Sequence, residues 1–296
     1  MRPIRIVVPQ AAGSSTDIVA RIFAEQVGAK LKQQIVVEPR PGAGGSIGAA
    51  LVAKSPPDGY TLLMANSGPL AINIGLYPEL PYDPVRDFAP VSLTAIGPYV
   101  LLAHPSLPAM SVKQLVSLAK NRPGELTFAS GGNGTGTHLS GELLKQTTGA
   151  KMVHVPYKGT GPGLIDLMAG QVSVMFAGVP PALPHVTSKR ARPLAVTGNK
   201  RSGVMSDVPT MMEAGVPGYE VHLWLGLAAP SGTPAVIINK INLQLREVWQ
   251  SPQVRGRMDG LGLDAVTNSP AEFSKYIQSE IQRWRTVIAN AGVRLQ

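Results

Sequence analysis

The sequence contains no cysteine, which excludes disulfide frameworks, thiolate nucleophiles and cysteine-ligated metals. It also has no run of about 18 apolar residues, so no transmembrane helix is predicted. Met1 leads directly into RPIRIVVP, without the apolar region and cleavage site of a secretory signal. We therefore expect either an intracellular protein or a mature region to which an initiator methionine was added.

Aromatic residues are scarce, at 5%, whereas the 32 glycines and 27 prolines are abundant. This balance is typical of many short elements joined by defined turns. The hydrophobic content of 44% is sufficient for sizeable cores, and 296 residues predict roughly two domains.

The net charge of +9 raises the question of a nucleic-acid partner. The basic residues are spread along the chain, and no basic run alternates with stacking aromatics or accompanies a nucleic-acid motif. We therefore predict no nucleic-acid partner, although a positive field would attract small anions. The densest basic group comprises Lys189, Arg190, Arg192, Lys200 and Arg201.

Apolar strand patterns alternate with helical ones along most of the chain, which predicts an α/β fold with mostly parallel sheets flanked by helices. The proline-rich segment 76–91 is predicted to be an ordered surface connection. The predicted strands cover residues 4–8, 35–37, 61–65, 99–103, 126–129, 194–196 and 221–229. The long predicted helices include 237–249 and 270–290.

Residues 127–149 combine a strand, a glycine-rich loop and a helix in one stretch. The loop, 130–137, holds four glycines among small polar residues, and the helix ends at Gly149. Glycines allow the backbone to approach a ligand, and the free N–H groups of a helix start carry partial positive charge. The stretch is therefore either an anion-binding device or a glycine-rich turn before an ordinary helix.

A second strand–loop–helix junction follows the first strand, which favours the anion-binding interpretation. Ser14, Ser15 or Thr16 can cap its helix, and Asp17 is either an acid of the capping region or a ligand contact. Asn66 and Ser67 follow another strand and are secondary candidates. Tyr157 and Lys158 lie on a turn that offers a hydroxyl and a cation, or is simply surface.

Several kinds of chemistry find no support in the sequence. None of the five histidines has a short-range ligand partner, no Walker A sequence occurs, and Leu139 stands where a dinucleotide fingerprint requires a third glycine. We therefore predict no metal and no cofactor. An alternative is an α/β hydrolase using Ser130 and His138, with Asp17 as the acid, but loops without an activated nucleophile favour binding.

The sequence resembles the tripartite tricarboxylate transporter receptor family, also called the Bug family, of extracytoplasmic solute-binding proteins. The resemblance extends almost from end to end. The blocks that carry it, in order, are IRIVVP with GSSTDIVAR, PGAGGSIGAALVAKSPPDGYTLL, LPYDPVRDFAPV, FASGGNGTGTHLSGELL, VPYKGTGP, VMFAGVPPALPHV, PLAVTGNKRS, DVPTMMEAGVPGYE and WLGLAAPSGTP.

This resemblance implies a two-lobed clamshell of the periplasmic-binding-protein type, with residues 1–100 plus 222–296 in one lobe and 101–221 in the other. A ligand carboxylate would be held between the two loops by backbone amides, hydroxyls and water. The implied ligand-binding residues are Gly13, Ser14, Ser15, Thr16, Asp17, Asn66, Ser130, Gly131, Asn133, Gly134, Thr135, Thr137, His138, Tyr157 and Ala177.

The chain departs from the family pattern at Gln10, Ala11 and Ser14 in the first loop, and at Ala177, where many relatives have aspartate. Because an acid there would pair with an amine, its absence favours a plain organic acid. The resemblance implies a monomeric, non-enzymatic periplasmic protein. It would capture a small carboxylate or dicarboxylate, aromatic acids included, and deliver it to membrane transporter subunits.

Overall fold

The computed structural model describes residues 2–291, which form an α/β fold. The strands are β1 Ile4–Val8, β2 Ile35–Pro39, β3 Thr61–Asn66, β4 Phe88–Ala103, β5 Leu126–Ser130, β6 Met152–Pro156, β7 Val174–Gly178, β8 Arg192–Val196, β9 His222–Pro230 and β10 Asp264–Ala265. The α-helices are α1 Ser15–Leu31, α2 Ser46–Ala53, α3 Asn73–Leu76, α4 Val112–Asn121, α5 Gly136–Thr148, α6 Thr160–Met168, α7 Val179–Thr187, α8 Ala235–Trp249, α9 Pro252–Asp259 and α10 Pro270–Ala291.

The strands pair in the order β2-β1-β3-β9-β4-β7-β5-β6, with β8 and β10 also paired to β4. We call β1, β2, β3, β9, β10 and the first part of β4 the sheet of the first lobe. The sheet of the second lobe is β5, β6, β7, β8 and the last part of β4. The outer strands are parallel, as predicted, whereas β4 and β9 pair antiparallel. Each sheet is therefore mixed rather than mostly parallel.

Strand β4 belongs to both sheets. Its residues from Phe88 to Pro98 pair with β9, and those from Tyr99 to Ala103 pair with β7 and β8. The predicted surface connection over residues 76–91 is wrong for its last four residues, which belong to β4. Register shifts between Pro90 and Ser92 accommodate the proline in the pairing with β9.

The buried side chain of Thr197 ties the chain's return toward the first lobe to β4. Its hydroxyl accepts a hydrogen bond from the Tyr99 N–H at 2.9 Å and donates to the Val221 carbonyl at 2.6 Å. Backbone bonds from Thr197 N–H to Tyr99 O and from Val221 N–H to Thr197 O complete the link. The two segments that cross between the lobes are thereby fixed to each other.

Both lobes have dense apolar cores, and the three tryptophans are fully buried. The last helix, α10, packs into the larger core through Phe273, Ile277, Ile281 and Trp284. Within residues 2–291, no helix combines the length and hydropathy needed to cross a membrane.

Candidate functional site

Two adjoining cavities lie between the lobes. The inner one has a volume of about 40 Å³ and the outer one about 210 Å³. Both are lined by Gln10, Gly131, Thr135 and Gly159, so these residues form the passage between them. The sequence predicted a site between two loops, and the cavities lie where those loops meet.

Three helices begin at the inner cavity. It is lined by Ser15 and Thr16 of α1, by Gly136 and Thr137 of α5, and by Thr160 of α6. The first N–H groups of a helix have no partner within it and carry partial positive charge. Helix starts from both lobes thus converge on one small volume, an arrangement suited to an anion.

Hydroxyl groups stabilise the glycine-rich loop around this cavity. The Thr137 hydroxyl accepts a hydrogen bond from the Gly131 N–H at 3.0 Å and lies 2.9 Å from the Thr135 hydroxyl. Thr135 caps α5 by accepting from the His138 N–H, and it donates to the Gly132 carbonyl at 2.7 Å. Thr135, which sequence reasoning did not identify as a cap, therefore both caps α5 and stabilises the loop.

Tyr99, which the sequence did not suggest, also lines the inner cavity. Its hydroxyl lies so close to the start of α5 that a methyl group on Gly136 would come within 2.2 Å of it. Burial raises the pKa of Tyr99, so the hydroxyl remains a protonated donor at neutral pH. Thr160 and Gly178 were missed too, although Gly159 and Thr160 open a third strand–loop–helix junction visible in VPYKGTGP.

Of the first-loop candidates, Ser14, Ser15 and Thr16 line the inner cavity, and Ser14 caps α1. Gly13 and Asp17 do not line it. The Asp17 carboxylate accepts the Gly13 N–H at 3.0 Å and two hydrogen bonds from Arg21, at 2.9 and 3.0 Å. Asp17 is thus engaged as an acid of the capping region, and its alternative role as a ligand contact stays a prediction.

His138 does not line either cavity. Its ring stacks on His154 with centroids 4.1 Å apart, and His154 stacks in turn on Phe128 at 4.7 Å. The His138 Nδ1 accepts a long hydrogen bond of 3.4 Å from the Gly134 N–H, and Gly134 is not among the residues that line the two cavities. The contact between His138 and a ligand that the resemblance implies stays a prediction.

Burial is the main cause of the lowered pKa values of both histidines. The pKa of His138 falls to about 4, with a smaller contribution from the charge of Lys145. The pKa of His154 falls to about 3, because of burial and then the neighbouring His138 and Lys145. Both rings are neutral at physiological pH.

The hydrolase alternative is not supported. Ser130 is fully buried and lines neither cavity, and its hydroxyl is 2.7 Å from the Nε2 of His154 rather than bonded to His138. Asp17, its supposed acid, is paired with Arg21. Among residues 2–291, no group of three or more histidine, aspartate or glutamate side chains could hold a metal ion.

The remaining candidates divide between the two cavities and the core. Asn66 lines the inner cavity, and Asn133 and Tyr157 line the outer one. Tyr157 donates to Asp166 at 2.7 Å, and its pKa is raised to about 12 by burial and that bond. Ala177 is buried in the core of the second lobe, and the next residue, Gly178, lines the cavity, so a ligand contact at Ala177 itself stays a prediction.

The lobes touch around the cavities through glycines. A methyl group on Gly159 would come within 2.5 Å of the Ala11 methyl, and one on Gly178 within 2.2 Å of the Ser15 hydroxyl. Larger side chains at these positions would hold the lobes apart.

Three residues of the densest basic group are held by contacts within the protein. Lys200 pairs with Asp264 and Arg201 with Glu213, while Arg192 donates to three carbonyls of segment 105–109. In contrast, Lys158 lines the outer cavity and has no ion-pair partner among residues 2–291.

A two-lobed α/β fold with an anion-suited cleft defines a solute-binding protein of the periplasmic type, and solved structures agree. An R. palustris protein with adipate is 38% identical and superposes with a TM-score of 0.97, over 99% of this chain and 98% of that one. MatC from Rhodopseudomonas palustris with bound malate is 34% identical, with a TM-score of 0.93 over 97% and 99% of the two chains.

Sequence comparison gives the family. The model described as tripartite tricarboxylate transporter family receptor matches residues 19–293. BugT of Bordetella pertussis is 39% identical over 296 residues, which is 100% of this chain and 91% of BugT. The chain belongs to the tripartite tricarboxylate transporter receptor family, whose members are solute-binding receptors.

Proposed function

We propose that this protein captures a small carboxylate or dicarboxylate between its lobes and delivers it to the membrane subunits of a tripartite tricarboxylate-type transporter. The observation that carries the proposal is the convergence of α1, α5 and α6 starts on the inner cavity. That volume, about 40 Å³, suits a single carboxylate group, and the outer cavity accommodates the rest of the molecule.

The outer cavity favours a second negative charge on the ligand. Lys158 contributes an ammonium group there, and no aspartate or glutamate lines either cavity within the described residues. A second carboxylate would gain a charge-assisted hydrogen bond from Lys158. The adipate and malate of the two solved relatives are both dicarboxylates, which supports this ligand class. Tyr77 and Tyr157 provide faces against which an aromatic acid could pack.

The proposed lobes are residues 1–100 plus 222–296 and residues 101–221. The change of pairing partners within β4, between Pro98 and Tyr99, supports a boundary near residue 100. The return of β9, which pairs with β3 and β4, supports the second boundary near 222. Residues 1 and 292–296 of the first lobe lie outside the described part of the chain.

We further propose that the protein acts as a monomer in the periplasm, without a cofactor, nucleic-acid partner or enzymatic activity. Its family membership supports the compartment and the transporter partner. The pairing of Lys200 with Asp264 and of Arg201 with Glu213 reduces the positive charge that the densest basic group offers to nucleic acid, which supports the absence of such a partner. The burial of Ser130 supports binding without turnover.

The decisive test is titration calorimetry with matched mono- and dicarboxylates. We expect dicarboxylates to bind more tightly, and we expect Lys158→Met to weaken them roughly tenfold while leaving monocarboxylates nearly unchanged. Lys113→Met, which removes an exposed lysine on α4, is the matched control and should change neither. Failure of every carboxylate to bind would refute the proposed function, and equal losses for both acid classes would refute the role of Lys158.

A further inference from the structure

Gln10 occupies the passage between the two cavities. It follows β1 and Pro9, lines both the inner and the outer cavity, and lies beside Gly45 of the first lobe. A ligand with its carboxylate in the inner cavity and its remainder in the outer one must therefore pass the Gln10 side chain. The atoms it would place there are those next to the bound carboxylate.

The hydrogen bonds around Gln10 fix which end of its amide is nitrogen. The Asn66 Oδ1 accepts a hydrogen bond from the Gly68 N–H at 3.1 Å, so this atom is an oxygen. Gln10 approaches the same oxygen at 3.2 Å with its Nε2, which donates. Rotating the Gln10 amide would bring two carbonyl oxygens together, so the other end must be the acceptor.

That acceptor, the Gln10 Oε1, is buried and has no hydrogen-bond partner within residues 2–291. Four other buried side-chain atoms in this part of the chain also lack partners, in Arg5, Ser67, Asn73 and Ser202. None of those four residues lines either ligand cavity. A buried acceptor without a donor is unfavourable, and of these five residues Gln10 is the one that borders the space proposed for the ligand.

We infer that the site selects carboxylic acids that carry a hydroxyl group near the bound carboxylate, which donates to the Gln10 Oε1. This inference rests on the proposed function and specifies its ligand class. A hydroxyl fits better than an ammonium group, because neither cavity is lined by an aspartate or glutamate in the described residues that could neutralise an amine.

The test compares acids that differ only in a 2-hydroxyl: succinate with malate, glutarate with 2-hydroxyglutarate, and adipate with 2-hydroxyadipate. Calorimetry on the full chain should show each hydroxy acid that binds to be roughly tenfold tighter than its parent acid. Gln10→Met keeps the length of the side chain but removes the acceptor, so the ratio should fall to about one. Gln34→Met, a change at an exposed glutamine before β2, should retain the parental ratio.

Equal affinities within every pair on the parent protein would overturn the inference, since they would mean that the Gln10 Oε1 does not contact the ligand. A Gln10→Met variant that folds and keeps the tenfold ratio would overturn it as well. If that variant fails to fold, the ratio on the parent protein decides. Binding of carboxylates without any hydroxyl preference refutes this inference alone, whereas binding of no carboxylate refutes the proposed function too.

Discussion

Thr137 lines the inner cavity, and its hydroxyl accepts a hydrogen bond from the Gly131 N–H. Replacing Thr137 with Val keeps the shape of the side chain but removes both the possible donor to a ligand and this acceptor. We expect carboxylate affinity to weaken by about 1.5–3 kcal/mol, or roughly tenfold to a hundredfold, because the acceptor on the ligand is charged. Titration calorimetry measures the change directly.

Thr137→Ser is the control for this change, because it retains the hydroxyl and should bind nearly as well as the parent. Equal affinities for the Val variant and the parent would contradict a ligand contact at Thr137. Circular dichroism should show the same ligand-free fold for all three proteins.

Sequence reasoning placed the backbone of the site better than its side chains. The loops at Ser14 and Thr137 were predicted because glycines, caps and helix starts are local features. The orientations of the Asp17 and His138 side chains could not be predicted in this way. They depend on contacts with Arg21 and with the ring of His154, and the contact with His154 forms only when the chain folds. Ser15 and Thr137 line the inner cavity because the loops that carry them face the cleft.

The stack of Phe128, His154 and His138 joins β5, β6 and α5 behind the glycine-rich loop. Both histidine pKa values are lowered in the folded protein, so as the pH falls the unfolded chain binds protons at a higher pH than the folded one does. Stability is therefore unaffected above about pH 7 and falls as the pH drops from about 6.5 towards 4 and 3. The contribution of His138 alone should reach on the order of 3 kcal/mol, measured by urea unfolding at several pH values.

Carboxylates titrate in the same range, so the parent must be compared with His154→Phe. Phenylalanine keeps an aromatic ring in the stack but cannot be protonated, although it loses the bond to Ser130. The variant should be less stable at pH 7 yet lose less additional stability between pH 6.5 and 4. Parallel pH profiles for the two proteins would show that the stack does not cause the loss.

Elements with local signals were predicted closely, whereas those that break local rules were missed. Helix α5 begins after the Thr135 cap and ends before Gly149, which has the left-handed conformation expected of a terminator. Helix α7 contains three prolines, which argue against a helix when only local sequence is considered. Pro180 lies in its first turn, where a missing N–H costs nothing, and Pro184 is accommodated inside it.

At the scale of the whole molecule, the approach of the lobes depends on Gly178. Its φ of −63° suits any residue, but a methyl group there would come within 2.2 Å of the Ser15 hydroxyl. Gly178→Ala should therefore hinder closure and weaken carboxylate binding at least about tenfold, with little change in the ligand-free thermal midpoint. Calorimetry and thermal unfolding with and without ligand test both parts.

Gly161→Ala serves as the matched control, because no atom lies within 4 Å of the position its methyl group would take. It should bind like the parent. Parental affinity in the Gly178 variant would indicate that the lobes close without the close fit between Ser15 and Gly178.

The continuity of β4 has a consequence for how the cleft moves. One strand runs through both sheets, with no loop between Pro98 and Tyr99, so at this crossing the lobes are not joined by a flexible linker. Opening must twist the strand itself against the neighbouring segment held by Thr197. The stiffness of this junction then contributes to the free energy of opening. Substitutions along it can therefore change the residence time of the ligand without contacting the ligand.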